Sequence, residues 1–324
     1  MAIIRLNLTD LEASGALSPP EAQRLKTLAL PEKAGSVWVN CLLIFGALAV
    51  AAGAIALIPT PTTGLLLAVA ALGGAAVLRH ADQDRAWGVL GSALAIMGAT
   101  GLCGWIAAET WDTGTHWPPM AMTIILAVCA AAFRSSLLAA LSVLAFGSVL
   151  GTGTAYWHAS YGLFVQEPTV TILAFAALAA GLYSMRGRAD DAWQGLLTAA
   201  ARTAVFLANF GFWVGSLWGD RLGEHWMPAD TWETRQAWRD TAVSIPEGVF
   251  TLGWAAALIA VIMNTARGSF LSITAIVFLA IHGYTQYFEL LGAEPATLIV
   301  AGLSAIGLAA LGAERLRKAP SNSS

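Results

Sequence analysis

Three polar side chains share one otherwise apolar stretch of the sequence, residues 268–290. His282, Gln286 and Glu289 are spaced i, i+4 and i+7, so a helix would place them on one face. Ionisable groups within a membrane-spanning segment often mark a functional site. The spacing admits two interpretations: a water-lined site, or interhelical hydrogen bonds that contribute roughly 0.6 to 2 kcal/mol each.

Further polar residues extend this candidate site. Tyr284 flanks the stripe on another helix face, where it could anchor it. Arg202 and Asn209 lie one heptad apart in another apolar segment, and snorkelling of the long arginine side chain would explain its charge near the inner end. As a hypothesis, we assign substrate binding to His282, Gln286, Glu289, Tyr284, Arg202 and Asn209.

The sequence carries no recognisable catalytic or metal-binding motif. His116, His158 and His225 fall in predicted outer loops, and no pair of histidines has HxxxH or HExxH spacing. There is no GxSxG, Walker loop or GxGxxG before a helix. His282 and Glu289 could form an acid–base pair only with a nucleophile that the sequence does not reveal. We therefore expect no enzymatic activity, no metal and no cofactor.

Acidic residues also gather in the predicted outer half of the chain. Glu167, Glu247 and Glu294 each adjoin a proline at the start of a predicted helix. The positive end of a helix dipole stabilises a carboxylate at this position, so the acid needs no functional role to be there. These residues therefore indicate helix starts as readily as an outer proton-handling site.

Composition places most of the chain in a membrane. Of 324 residues, 57% are hydrophobic and only 11% are charged, whereas a soluble domain has about 25% charged residues. The 17 Lys and Arg residues are scattered, which argues against nucleic-acid binding. The fold class we predict is all-α, a polytopic integral membrane protein.

Runs of apolar residues define about ten transmembrane helices arranged as five hairpins. The predicted spans are 37–58, 62–79, 87–108, 118–134, 137–157, 169–186, 197–218, 246–264, 269–289 and 296–313. Most of the Lys and Arg residues fall on one side if both the N- and C-termini are cytoplasmic, as the positive-inside rule requires. A proline at or just before the first turn marks every helix that starts from the outer face: Pro61, Pro119, Pro168, Pro246 and Pro295.

Glycines at a spacing of four residues predict close helix packing. Gly147 and Gly151 form one such pair in the fifth segment, and Gly211, Gly215 and Gly219 form a longer series in the seventh. We expect both to serve contacts within the chain rather than a dimer interface.

Three regions follow from these patterns. Residues 1–35 are predicted to form a cytoplasmic helical hairpin, because two capping boxes begin at Thr9 and Ser18. Residues 36–314 form the transmembrane domain, whose Trp-rich outer loop 219–245 contains a short interfacial helix capped by Asp230. Residues 315–324 form a basic, disordered tail.

Both ends of the chain resemble a bacterial family of uncharacterised membrane proteins with a domain-of-unknown-function label. The resemblance rests on LEASGALSPPEAQRL near the N-terminus and YFELLGAEPATLIVAGLSAIGLAALGAERLRK near the C-terminus. It implies a short helical preamble followed by eight to ten spanning helices, and it brings no substrate or catalytic residue. A weaker analogy is the drug/metabolite transporter superfamily, from which the preamble and the long outer loop depart.

These observations favour a transporter or binding protein of the bacterial inner membrane. It would move or bind a small solute or lipid through an outward-opening cavity lined by His282, Gln286 and Glu289 and covered by the 219–245 loop. Its partners would be membrane lipids and a small-molecule or ion substrate. The alternative is a non-transporting scaffold or signalling partner that docks a protein through residues 1–35.

Overall fold

The computed structural model describes residues 17–28, 34–81, 87–110, 117–157, 160–227, 231–266, 268–292 and 294–318, and these are mostly helical. The helices are α1 Pro19–Leu28, α2 Ala34–Leu57, α3 Pro61–Ala81, α4 Gly88–Thr110, α5 Pro118–Phe133, α6 Ser136–Val149, α7 Pro168–Arg186, α8 Asp191–Trp218, α9 Trp232–Thr241, α10 Glu247–Asn264, α11 Phe270–Leu291 and α12 Pro295–Lys318. The strands are β1 Thr152–Trp157, β2 Ser160–Val165, β3 Asp220–Arg221 and β4 Ser244–Ile245.

Six of the described helices are long and apolar enough to cross a membrane, namely α3, α4, α7, α8, α10 and α11. The apolar parts of α2, α5, α6 and α12 are shorter. By length and composition, the chain is therefore a multi-pass membrane protein. Each of the ten predicted spans overlaps one of these ten helices, and whether all ten cross the membrane stays a prediction.

Different residue types start the helices at the two predicted faces. Helices α3, α5, α7 and α12 begin with a proline, and α10 follows one, as the sequence predicted. Three helices that start from the other predicted face have a polar cap. Ser135, Asp190 and Ser269 each accept a hydrogen bond from a first-turn N–H of α6, α8 and α11, respectively.

The predicted fifth span, 137–157, is wrong beyond Val149. Helix α6 ends there, and Gly151 adopts φ +74°, which a residue with a side chain rarely tolerates. The following segment, TGTAYW, is rich in β-branched and aromatic residues and pairs antiparallel with β2, with Thr152 opposite Val165. Gly151 therefore lies outside the helix, so the predicted Gly147–Gly151 pair is not a helical packing motif.

The described part of the N-terminal segment contains one of the two predicted helices. The Ser18 N–H donates to a Glu21 carboxylate oxygen over 3.0 Å, and the Ser18 hydroxyl donates to the same oxygen over 2.6 Å. These bonds hold Glu21 as a carboxylate and lower its pKa. The capping box at Thr9 lies outside the described residues. Protein docking by this segment stays a prediction.

Two other boundaries differ from the predicted ones. Helix α12 continues to Lys318, so residues 315–318 of the predicted disordered tail are helical, while 319–324 lie outside the described residues. The predicted cap Asp230 also lies outside them. Thr231 is the residue that caps α9, through a capping box with Thr234.

The chain divides into two compact units, Met1–Met97 and Gly98–Ser324. In the first unit, α2 packs against α3. The start of α4 lies close to α3, because a Cβ added at Gly91 would lie 3.7 Å from the Cβ of Leu78.

Helix α8 is the centre of the second unit. It packs against α6, α7 and α10, and α10 packs against α11. Gly211 and Gly215 permit the close approach, because an added Cβ would lie 3.1 Å from Ile172 of α7 and 2.7 Å from Phe250 of α10, respectively. The predicted packing role of these two glycines, within the chain, agrees with this arrangement.

Candidate functional site

His282, the first residue of the predicted polar stripe, is buried between helices. Only 5% of it is exposed on α11. Its Nε2 lies 3.1 Å from the carbonyl oxygen of Thr251 on α10, so Nε2 carries a proton and donates it. Within the described part of the chain, Nδ1 is buried and has no hydrogen-bond partner. His282 therefore joins α10 and α11.

Trp254 on α10 lies beside this imidazole and is fully buried. The indole and imidazole ring centroids are 4.7 Å apart. The indole Nε1–H donates to Oδ1 of Asn209 on α8 over 2.9 Å, while the amide nitrogen of Asn209 donates to the Val205 carbonyl over 2.8 Å. Asn209, Trp254, His282 and Thr251, which we call the Trp254 cluster, thus connect three helices by polar contacts inside an apolar bundle.

The rest of the predicted stripe becomes more exposed towards the end of α11. Gln286 is half-buried, and its amide nitrogen has no hydrogen-bond partner among the described residues. Glu289 is exposed. Tyr284 is 56% exposed and meets Phe288 edge to face, with ring centroids 4.6 Å apart. The stripe is therefore one sealed residue followed by progressively more accessible ones.

Several residues of this region were missed by sequence reasoning. Trp254 and Thr251 are two, and a second interhelical bond runs from Nε1–H of Trp213 on α8 to the Thr285 hydroxyl on α11, over 3.1 Å. The available signal was the position of these tryptophans. Trp213 and Trp254 lie within helices rather than at their ends, and a buried indole N–H needs a partner.

Arg202 and Asn209, predicted as a pair, have separate environments. Arg202 is exposed, and its guanidinium lies 4.7 Å from the ring centroid of Phe270, a cation–π contact. It also lines a polar cleft of about 470 Å³ at the start of α8. We call this the basic cleft; its lining residues are Ser136, Arg186, Gln194, Gly195, Thr198, Ala199 and Arg202.

A second, larger space lies along α6, β1, α8 and α11. This apolar cavity has a volume of about 750 Å³. None of the six predicted site residues is among the described residues that line it. Its lining consists of Leu144, Ser148, Thr152, Gly153, Phe206, Leu207, Phe210, Trp213, Phe270, Ile273, Thr274, Val277, Phe278 and Ile281.

A buried carboxylate anchors the outer loop to the start of α7. Glu167 is completely buried, and its two carboxylate oxygens accept hydrogen bonds from the backbone N–H groups of Gly223, over 2.9 Å, and His225, over 2.8 Å. Burial raises the pKa of the Glu167 carboxyl. The two N–H donors oppose this effect, and the nearby charges of Asp220 and Glu224 add to it.

Asp220 completes this connection from the other side. It is 5% exposed, and its Oδ2 accepts from the Thr169 N–H over 2.8 Å, which caps the start of α7. Glu167, the N-cap residue itself, makes no side-chain cap bond. The carboxylate that serves the helix start is therefore supplied by the loop, while Glu167 binds loop amides. Sequence spacing could not reveal that Asp220 caps α7 while Glu167 binds the loop, because the partners are more than 50 residues apart.

In the residues that the structure describes, no group of three or more His, Cys, Asp or Glu side chains is placed to hold a metal ion. The chain was also compared with known proteins. No protein-family model, curated protein or solved structure matches this chain. The resemblance to a family of uncharacterised bacterial membrane proteins thus stays a prediction, and any assignment of function rests on the residues described above.

Proposed function

We propose that this protein is a ten-helix protein of the bacterial inner membrane, with both termini cytoplasmic, that binds a membrane lipid by its acyl chain in the apolar cavity. The ten apolar helices and the distribution of Lys and Arg support the topology. The cavity between α6, α8 and α11 is the observation that carries the binding function.

The size and chemistry of the cavity fit an acyl chain. Its volume of about 750 Å³ falls within the roughly 300 to 1,000 Å³ typical of ligand sites. Most of its lining is aliphatic or aromatic, and its few polar members are hydroxyl groups, one indole and backbone. Two of its walls, α8 and α11, are apolar enough to cross a membrane, so the surrounding solvent is hydrocarbon.

The short helix α6 provides independent support for a maintained cavity. Its 14 residues extend about 21 Å, less than the roughly 30 Å hydrocarbon core. The chain then continues as β1, whose Thr152 and Gly153 line the cavity. Non-helical backbone at membrane depth occurs only where protein buries it or where it lines a cavity.

The predicted site at the polar stripe has a different role in this proposal. The bonds of the Trp254 cluster hold α8, α10 and α11 together, and α8 and α11 form walls of the cavity. The ligand would therefore enter sideways from the bilayer rather than through an aqueous path beneath the 219–245 loop.

Lipid retention by the purified full-length protein tests this function. Native mass spectrometry after mild detergent extraction would count bound lipids in the wild type, in Val277→Trp and in a matched control, Leu252→Trp. Val277 lines the cavity, whereas Leu252 is 75% exposed on α10 and does not. We expect the Val277→Trp protein to lose most retained lipid and the control to keep it. Equal retention by both variants would contradict the proposal.

A further inference from the structure

The basic cleft has the chemistry of a phosphate-binding site. It lies where the start of α6, the end of α7 and the first turns of α8 meet, and it contains the guanidinium groups of Arg186 and Arg202. The hydroxyls of Ser136 and Thr198 also line it. Guanidinium groups bind phosphate by paired charge-assisted hydrogen bonds, and the N-terminal end of α6 adds a favourable dipole.

The two arginines of the cleft lack a neutralising carboxylate among the described residues. The ion pairs among the described residues join Arg134 to Asp190 and, in the outer loop, Arg239 to Glu224, so neither includes an arginine of the cleft. Arg202 instead packs its guanidinium over the Phe270 ring, a contact that leaves its N–H donors available. Among the described residues, the two arginines of the cleft therefore have no ion-pair partner.

The basic cleft adjoins the apolar cavity. Phe206 follows Arg202 by one helical turn on α8 and lines the cavity. Phe270, which Arg202 contacts, also lines it. A charged site and an apolar site thus meet at Arg202. In a lipid, a charged headgroup and an apolar acyl chain are joined in the same way.

The depth of the cleft agrees with a headgroup position. Helix α8 has 28 residues, about 42 Å, which exceeds the hydrocarbon core of about 30 Å. Tryptophans at helix ends mark membrane interfaces, and we take Trp218 as the outer one. About 20 helical residues cross the hydrocarbon core, so the inner end of the core lies near Thr198. The cleft lies around this level on the proposed cytoplasmic side.

The geometry points to an anionic phospholipid as the ligand, with its phosphate in the basic cleft and an acyl chain in the apolar cavity. This inference rests on the proposed function and adds the headgroup class and the membrane leaflet. A zwitterionic lipid presents the same phosphate together with a cation, which the two arginines repel. Free inorganic phosphate shares the chemistry of the headgroup and is the competing source.

Lipid binding to the full-length protein in detergent tests the inference. Titrations monitored by native mass spectrometry would compare dioleoylphosphatidylglycerol with dioleoylphosphatidylcholine, and inorganic phosphate would be added as a competitor. We expect the wild type to prefer the anionic lipid. Arg186→Gln and Arg202→Gln should each weaken its binding about fivefold without changing that of phosphatidylcholine. Arg188→Gln, an equal charge loss outside the cleft lining, should change it less than twofold.

The outcomes separate the two proposals. Equal affinity of the wild type for both lipids, or an equal loss from Arg188→Gln, would overturn the headgroup assignment. Displacement of the anionic lipid by millimolar inorganic phosphate would assign the cleft to free phosphate and would overturn it as well. If the apolar cavity does not bind an acyl chain, Val277→Trp will leave the binding of both lipids unchanged.

Discussion

The bond between Asn209 and Trp254 gives the sharpest test of how the membrane unit is held together. Replacement of Asn209 by leucine keeps roughly the volume of the side chain but removes the acceptor of the indole N–H, 2.9 Å away. Trp254 is fully buried, so its N–H finds no water in exchange. The variant should therefore fold less stably.

The expected loss can be bounded. A buried donor left without a partner costs about 1 to 3 kcal/mol, while hydrogen bonds between membrane helices contribute about 0.6 to 2 kcal/mol. We expect Asn209→Leu to lower the free energy of unfolding by about 1 to 2 kcal/mol. In the double variant with Trp254→Phe, the loss should be smaller than the sum of the single losses, because both single variants break the same bond.

Asn264 provides a matched control. Its amide nitrogen donates to the carbonyl four residues earlier over 2.8 Å, as that of Asn209 does, but it is exposed and no other bond to its side chain is described. Unfolding in mixed micelles, followed by circular dichroism as the dodecyl sulfate fraction rises, measures both variants. Asn264→Leu should stay within about 0.5 kcal/mol of the wild type. A similar loss in the two variants would refute the assigned role of the indole bond.

Three further predictions concern accessibility, pH and the outer loop. On a cysteine-free background, an impermeant thiol reagent added from outside should label a cysteine at the position of Glu289 but not one at the position of His282, because the Trp254 cluster seals the helix contact there. Since burial raises the pKa of Glu167 above its ordinary 4.5, the folded protein binds this proton more tightly than the unfolded chain. The contribution of Glu167 to stability is therefore largest below pH 4.5 and falls as pH rises through the raised pKa; Glu167→Gln should flatten this part of a melting-temperature profile. Gly219→Ala should lower the free energy of unfolding by at least about 1 kcal/mol, because φ is +67° and an added Cβ would lie 2.6 Å from a backbone oxygen; micelle unfolding measures it.

Each of these has a control and a contrary outcome. Labelling at the position of His282 would show that water reaches the bundle interior. Glu247→Gln, at an exposed acid that also starts a helix, should leave the pH profile unchanged, and the same flattening in both variants would exclude Glu167 as its cause. Gly253→Ala places its Cβ in open space within α10 and should not destabilise; an equal loss there would contradict the strain at Gly219.

Local patterns in the sequence were sufficient to locate the helices. Hydropathy and the prolines at helix starts located the described apolar helices, since both depend on residues close together in the chain, while the count of ten membrane crossings stays a prediction. Hydropathy failed at 152–157, because an apolar strand and an apolar helix end have the same mean hydropathy. Gly151 and the β-branched and aromatic residues after it were the signal that mattered there.

The site was less predictable because its contacts join residues far apart in sequence. The i, i+4, i+7 spacing put His282, Gln286 and Glu289 on one face of a helix, but it could not identify Thr251 and Trp254 as the neighbours of His282. For the same reason, Asn209 was paired with Arg202 on the same helix rather than with Trp254 of α10. The outer carboxylates show the same limit: Glu167 binds amides more than 50 residues away.

Photo-cross-linking with a phospholipid that carries a diazirine on its acyl chain tests the central claim most directly. The full-length protein would be reconstituted with this lipid, irradiated and digested, and the modified peptides identified by mass spectrometry. Binding in the apolar cavity predicts modification concentrated at its lining on α6, α8 and α11, including Leu144, Phe206 and Val277. Equal modification of exposed apolar residues away from it, such as Leu252 and Met263 of α10, would contradict a lipid site in the cavity.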